Sequence, residues 1–127
     1  MKHSYKLSDA IHILTYVDIY KNDDLSSARI AASIEANASV VRNLMSKLKK
    51  AGLLNNQPGV ARASLAKPAS EISVLDVYRA ITSTASLLHV DPKTNPNCVV
   101  GANIQNRLEE VYQRVQNAAE LEMSQIP

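Results

Sequence analysis

Arg42, Asn43, Lys47 and Lys50 put a guanidinium, a carboxamide and two ammonium groups into one short stretch, and no carboxylate lies anywhere between Glu35 and Glu71. Asn and Arg side chains pair with adenine and guanine edges, whereas Lys suits phosphate oxygens. The acid-free stretch holds Arg42, Lys47, Lys49, Lys50, Arg62 and Lys67 and so carries +6, while the rest, with eight basic and all twelve acidic residues, carries −4. A net charge of +2 therefore hides a basic segment on an acidic body. Clustered cations of this kind supply most non-specific affinity for nucleic acid. Charge alone fits a solvated basic face equally well, so helical periodicity has to decide.

Other chemistries are disfavoured. Gly52, Gly59 and Gly101 are the only glycines and are widely separated, so no phosphate-cradling loop exists; a G-x-S-x-G elbow and an H-E-x-x-H pair are also absent. No nucleophile, base and orienting group can be paired from motif, and an enzyme is not expected. One cysteine, Cys98, rules out an internal disulfide and a zinc site built on several thiolates, and fits a reducing compartment. His3, His12 and His89 share no ligand spacing, so no metal and no cofactor is expected. Cys98 is the candidate sensor. It follows Asn97, a good cap residue, at the start of a long helix whose orphan amides would stabilise a thiolate. The alternative is a small residue that helps this helix to dock.

The elements that hold these residues are read from periodicity. At 127 residues, with 46% apolar and 4% aromatic residues, all of the latter Tyr, the chain predicts one domain with an aliphatic core. It has no membrane-length apolar run, and Met1 to Lys6 lacks a signal-peptide core, so a cytoplasmic protein is expected. Ser8 caps a first helix with Leu7, Ile11, Leu14 and Val17 inward, ending at Asn22-Asp23-Asp24. Ser26 or Ser27 caps a short second helix to Glu35, with Ala28, Ala31 and Ile34 inward and Arg29 outward. Asn37 takes a left-handed turn, and Ser39 caps a third helix to Ala51 that buries Val41, Leu44, Met45 and Leu48 and stops at Gly52. Leu53-Leu54 and Ser64-Leu65-Ala66 form two short strands around a loop with Pro58, Gly59 and Arg62. Ser73 caps a fourth helix through Val74, Leu75, Val77, Tyr78 and Ile81; a Pro-containing loop follows. From Cys98 to Met123 runs a last helix with Ile104, Leu108, Val111, Val115 and Ala118 spaced 4, 3, 4, 3.

Helix, short turn, basic helix and hairpin make a winged helix-turn-helix, so the fold class is mainly α with a small two-stranded wing. Residues 1–82 form the DNA-binding part, 83–97 a loop and 98–127 a dimerisation helix. Val40, Arg42 and Asn43 are placed for a thymine methyl, guanine and adenine; Ser27, Arg29, Ser39, Lys47, Lys50 and Arg62 suit phosphates or a minor groove. A 3.5-residue seam of Ile104, Leu108, Val111 and Val115 suits pairing with a second chain, although it could dock on its own domain. A two-fold dimer would read an inverted repeat in double-stranded DNA.

Ile30-Ala31, the run Ser39 to Leu53, Leu65-Ala66-Lys67-Pro68 and Glu71 to Tyr78 together resemble the Rrf-two family of bacterial winged-helix transcriptional regulators, over nearly the whole chain. Pro96-Asn97-Cys98-Val99-Val100-Gly101 resembles a subgroup of it. The resemblance implies a homodimer that represses or activates at a palindromic operator. Cluster-binding members carry three cysteines before the long helix; here only Cys98 stands there, so no iron-sulfur cluster is expected. Relatives often have a glycine pair in the wing where this chain has Ala61-Arg62. The effector, thiol chemistry at Cys98 or a small ligand, stays open. The competing reading is a dimeric winged-helix module that binds a protein, which would not require the acid-free stretch.

Overall fold

A computed structural model describes residues 5–20, 27–56, 63–82 and 87–127. Along the chain come α1 (Lys6–Ile19), α2 (Ser27–Ile34), α3 (Ala38–Lys50), β1 (Leu54–Asn56), β2 (Ala63–Leu65), a 3₁₀ turn (Ala69–Glu71), α4 (Val74–Ile81) and α5 (Val99–Ser124). α1 buries Ala10, Ile13, Leu14 and Val17, and α3 buries Val41, Leu44, Met45 and Leu48, each set spaced by three and four as one helical face requires. With Ile30, Leu53, Ile72, Val77 and Ile81 they form one aliphatic core. It lies among α1, α2, α3 and α4, with the hairpin on its edge.

Several termini differ from the sequence expectation. α1 begins at Lys6 with Tyr5 at the N-cap, so Ser8 lies inside the helix and caps nothing. Ile11, expected inward, is exposed at the rim of that face, and so is Ala28 of α2. The side-chain oxygen of Asn37 accepts from the Val40 amide at 3.0 Å, so Asn37, not Ser39, caps α3; the Ser39 hydroxyl donates to that same oxygen at 2.7 Å. Asn37 is extended, and the left-handed residue is Glu35, at φ 60°. The Ala36 amide reaches back to the Ala31 carbonyl at 3.1 Å, the six-to-one bond of a Schellman end, which requires a left-handed residue between. Gly52, at φ 78°, follows α3 in the same conformation without a side chain to strain.

β1 and β2 pair antiparallel with Leu54 opposite Leu65 and Asn56 opposite Ala63, and the Ala66 amide adds a bond to the Leu53 carbonyl. Buried Leu53 and Leu54 pin the hairpin to the core. Ser73 caps α4 as expected, in a reciprocal box with Asp76. α5 packs on α4, joined to it at Gln116 and Glu120, which lie with Tyr112, Ala119 and Met123 on one buried or half-buried stripe. Gln116 is buried: its carbonyl accepts from the Leu87 amide at 2.7 Å and its NH2 donates to Tyr78 Oη at 3.3 Å and to Glu120 at 3.1 Å. Arg79 pairs with Glu120 at 3.1 Å, and Gln116 and then Arg79 hold that carboxyl below its usual pKa.

Candidate nucleic-acid interface

The outward face of α3 follows from the face it buries. Ser39, Asn43, Ser46 and Lys50, at steps of four, three and four, are exposed and form a ridge opposite Val41, Leu44 and Leu48. Val40, 40% exposed, and half-buried Lys47 flank this ridge on one side, while Arg42 and Lys49 flank it on the other. Asn43 therefore occupies the centre that the sequence reading shared among Val40, Arg42 and Asn43. Those two neighbours diverge to opposite edges. Ser39 differs from a simple phosphate donor, because its single hydroxyl proton is committed to Asn37.

Among the described residues, Arg42, Lys47, Lys49, Lys50 and Lys67 enter no ion pair; the pairs that form are Arg79–Glu120 and Arg107–Glu110, both away from α3. No acid among the described residues neutralises this basic face. Arg29 of α2 is exposed and engaged within the chain. Ser27 is the first residue of α2, and Arg62 lies outside the described residues.

The second candidate region is α5. Ile104 and Leu108 are half-buried, whereas Val111 and Val115 are 40% and 45% exposed. This aliphatic seam lies to one side of the Gln116 stripe that contacts α4. The chain's own packing covers part of Ile104 and Leu108 and leaves Val111 and Val115 open.

Cys98 is itself the N-cap of α5, one residue beyond the Asn97 cap expected from the sequence, and it is exposed. The backbone amides of Gly101, chiefly, and of Val100 hold its thiol below the ordinary pKa, against a smaller opposing effect of burial. Neither amide makes a full hydrogen bond to Sγ, so this is the pull of an open helix end on a nearby thiolate. The loop ahead of it is fastened to α5. Thr94 donates to the Gly101 carbonyl at 2.6 Å, and Gln105 donates to the Pro92 carbonyl at 2.8 Å and to Thr94 Oγ1 at 3.1 Å. Gly101 is required here, since a Cβ would overlap the Asn95 carbonyl oxygen. The sequence reading missed Thr94, Gly101, Gln105 and Gln116; a glycine in the first turn of a long helix was the one visible signal.

The winged helix-turn-helix fold is shared with known proteins. The family model described as "Rrf2: Iron-dependent Transcriptional regulator" matches residues 3–127. The chain belongs to the Rrf2 family. Over 119 residues it is 43% identical to YwnA of Bacillus subtilis (strain 168), a candidate HTH-type transcriptional regulator, covering 94% of this chain and 88% of that one. A crystal structure of a candidate DNA-binding protein, 41% identical, superposes with a TM-score of 0.76 over 94% of this chain and 91% of the other. CymR, the global cysteine regulator of B. subtilis, shares the fold at 18% identity, with a TM-score of 0.67 over 99% of this chain and 91% of its own.

The family description names iron, and the donors of this member do not fit an iron-sulfur cluster. The sequence holds one thiol, and among the described residues no group of three or more His, Cys, Asp or Glu side chains could hold a metal ion. Among those residues no helix is long and apolar enough to cross a membrane.

Proposed function

We propose that this Rrf2 regulator is a cytoplasmic homodimer that lays two α3 helices into successive major grooves of a palindromic operator and represses by occupying it. It acts by binding, without a catalytic step. The observation that carries this reading is the α3 ridge, whose own and flanking basic residues form no ion pair with a carboxylate among the described residues and whose centre is the amide of Asn43. Asn43 reads a base edge; Arg42, Lys47 and Lys50 at the margins hold phosphates or neighbouring bases, with Arg29 and the wing's Arg62 completing the backbone contacts. The seam of Ile104, Leu108, Val111 and Val115, open at the two valines, supports pairing of two α5 helices, and residues 83–97 link the DNA-binding and pairing parts. Cys98, exposed and with its pKa lowered, supports a thiol response at that link.

The test is an electrophoretic shift on DNA upstream of the protein's own coding sequence. Asn43→Ala costs about 1–3 kcal/mol and relaxes sequence preference, whereas Lys50→Ala weakens all sequences alike and lowers the salt slope by about one. If both variants bind like the parent, α3 is not the reader.

A further inference from the structure

An open cleft of about 360 Å³ lies between α1, the end of β2, the 3₁₀ turn and the start of α4. That volume falls in the range of small-molecule sites, roughly 300–1,000 Å³. Its walls are aliphatic, with Ile11, Leu14, Leu65, Ile72 and Val77 among them. One end is closed by the chain after α5, where the Val74 amide donates to the Ile126 carbonyl at 2.7 Å. Exposed Ile11, which the core leaves out, finds its place on this rim.

The polar lining is sparse. Thr15 donates its hydroxyl to the Ile11 carbonyl, and Ser73 accepts from the Asp76 amide, so both are engaged in their own helices, and exposed Ser70 adds one more hydroxyl at the rim. Asp18 carries the one charged side chain among the residues that line the cleft, which also include Pro127 at the end of the chain, and it enters no ion pair with a described residue. Lys67 lines an adjoining hollow that shares Asp18, yet the two do not come within 4 Å. An apolar cleft whose one charged side chain is an unpaired carboxylate favours a cationic group over an anionic one. We propose that this cleft binds a small molecule with an apolar body and one cationic head, the body against Leu14, Ile72 and Val77 and the head at Asp18. The occupant would touch the base of the wing, the N-terminal end of α4 and the chain beyond α5 together.

Three probes with one body and different heads test this on the full chain, followed by its amide NMR spectrum: phenylpropylammonium, phenylpropanol and phenylpropanoate. The ammonium is expected to shift the amides of Ile11, Thr15, Ile72 and Val74 and to bind about three- to fivefold tighter than the alcohol, the range of an exposed ion pair. The carboxylate binds weakest. Asp18→Asn, a surface change, brings the ammonium down to the alcohol's affinity, while Asp9→Asn on the same helix does not. Ala69→Phe, at an exposed rim position, blocks all three probes with the rest of the spectrum unchanged. Shifts that map elsewhere, a carboxylate that binds as well as the ammonium, or an Asp18→Asn chain that keeps the preference each overturn the proposal. No DNA enters the measurement, so its outcome is independent of the operator reading.

Discussion

Glu35 offers a test of the turn that sets α3 against α2. Its φ of 60° places a side-chain-bearing residue where a helix end most often has glycine. The left-handed conformation costs an L-residue about 1–2 kcal/mol. Glycine removes that strain and gives back about 0.4–1 kcal/mol through its freer unfolded chain. Glu35→Gly is therefore expected to stabilise the protein by about 0.5–1 kcal/mol relative to Glu35→Ala. The alanine comparison matters because both variants remove a negative charge from the C-terminal end of α2, where it opposes the helix dipole. The gap between them isolates the backbone. Glu35→Asn should fall between, since Asn tolerates this region better than Ala. Urea unfolding followed by circular dichroism, at one protein concentration because association shifts apparent stability, resolves such a difference. If Glu35→Gly is no more stable than Glu35→Ala, the left-handed end of α2 does not exist in solution, and the placement of α3 that depends on it falls.

Replacing Leu108 and Val115 together by Glu is expected to give monomers in sedimentation, because a charge buried without a partner costs several kcal/mol; an intact dimer would remove α5 from the interface. Gly101→Ala should destabilise by about 1–3 kcal/mol, as overpacking against a backbone carbonyl does, and a thermal midpoint equal to the parent's would show that Asn95 does not press on α5. Peroxide, whose attack by the Cys98 thiolate forms the sulfenic acid, should weaken operator binding by the parent and leave Cys98→Ser unaffected; equal responses would make the thiol structural.

How much of this was legible depended on whether a feature is written in one segment or in two. The face of α3 was readable because Val41, Leu44, Met45 and Leu48 repeat within thirteen residues, and every exposed position follows from them. Its cap was not. Asn37 and Ser39 are both good cap residues, and only their relative geometry shows that Ser39 spends its proton orienting Asn37. Glu35 was misread for a related reason. Propensity assigns left-handed geometry to Asn, whereas the bond from Ala36 to Ala31 forces it on the residue that happens to occupy the position. Ile11 fitted the inward repeat of α1, and no local pattern says that the neighbouring turn at Ala69–Glu71 stands off and leaves it on a cleft.

α5 carries the same lesson one level higher. It has two stripes with nearly identical spacing, Ile104, Leu108, Val111 and Val115 on one and Tyr112, Gln116, Ala119 and Met123 on the other. Periodicity detects the aliphatic stripe and predicts burial for it. The intrachain contact with α4 instead uses the second stripe, centred on a buried glutamine whose amide is fully occupied by Leu87, Tyr78 and Glu120. A polar side chain survives at that position because, beside Glu120 one turn on, two of its three partners come from α4 and from the preceding loop, which no reading of α5 alone could pair with it. Burying Gln116 without those partners would cost about 1–3 kcal/mol. With them, it fixes the rotation of α5 on α4. That rotation, set by a polar residue, leaves Val111 and Val115 turned away from the chain's own core and open to a second copy.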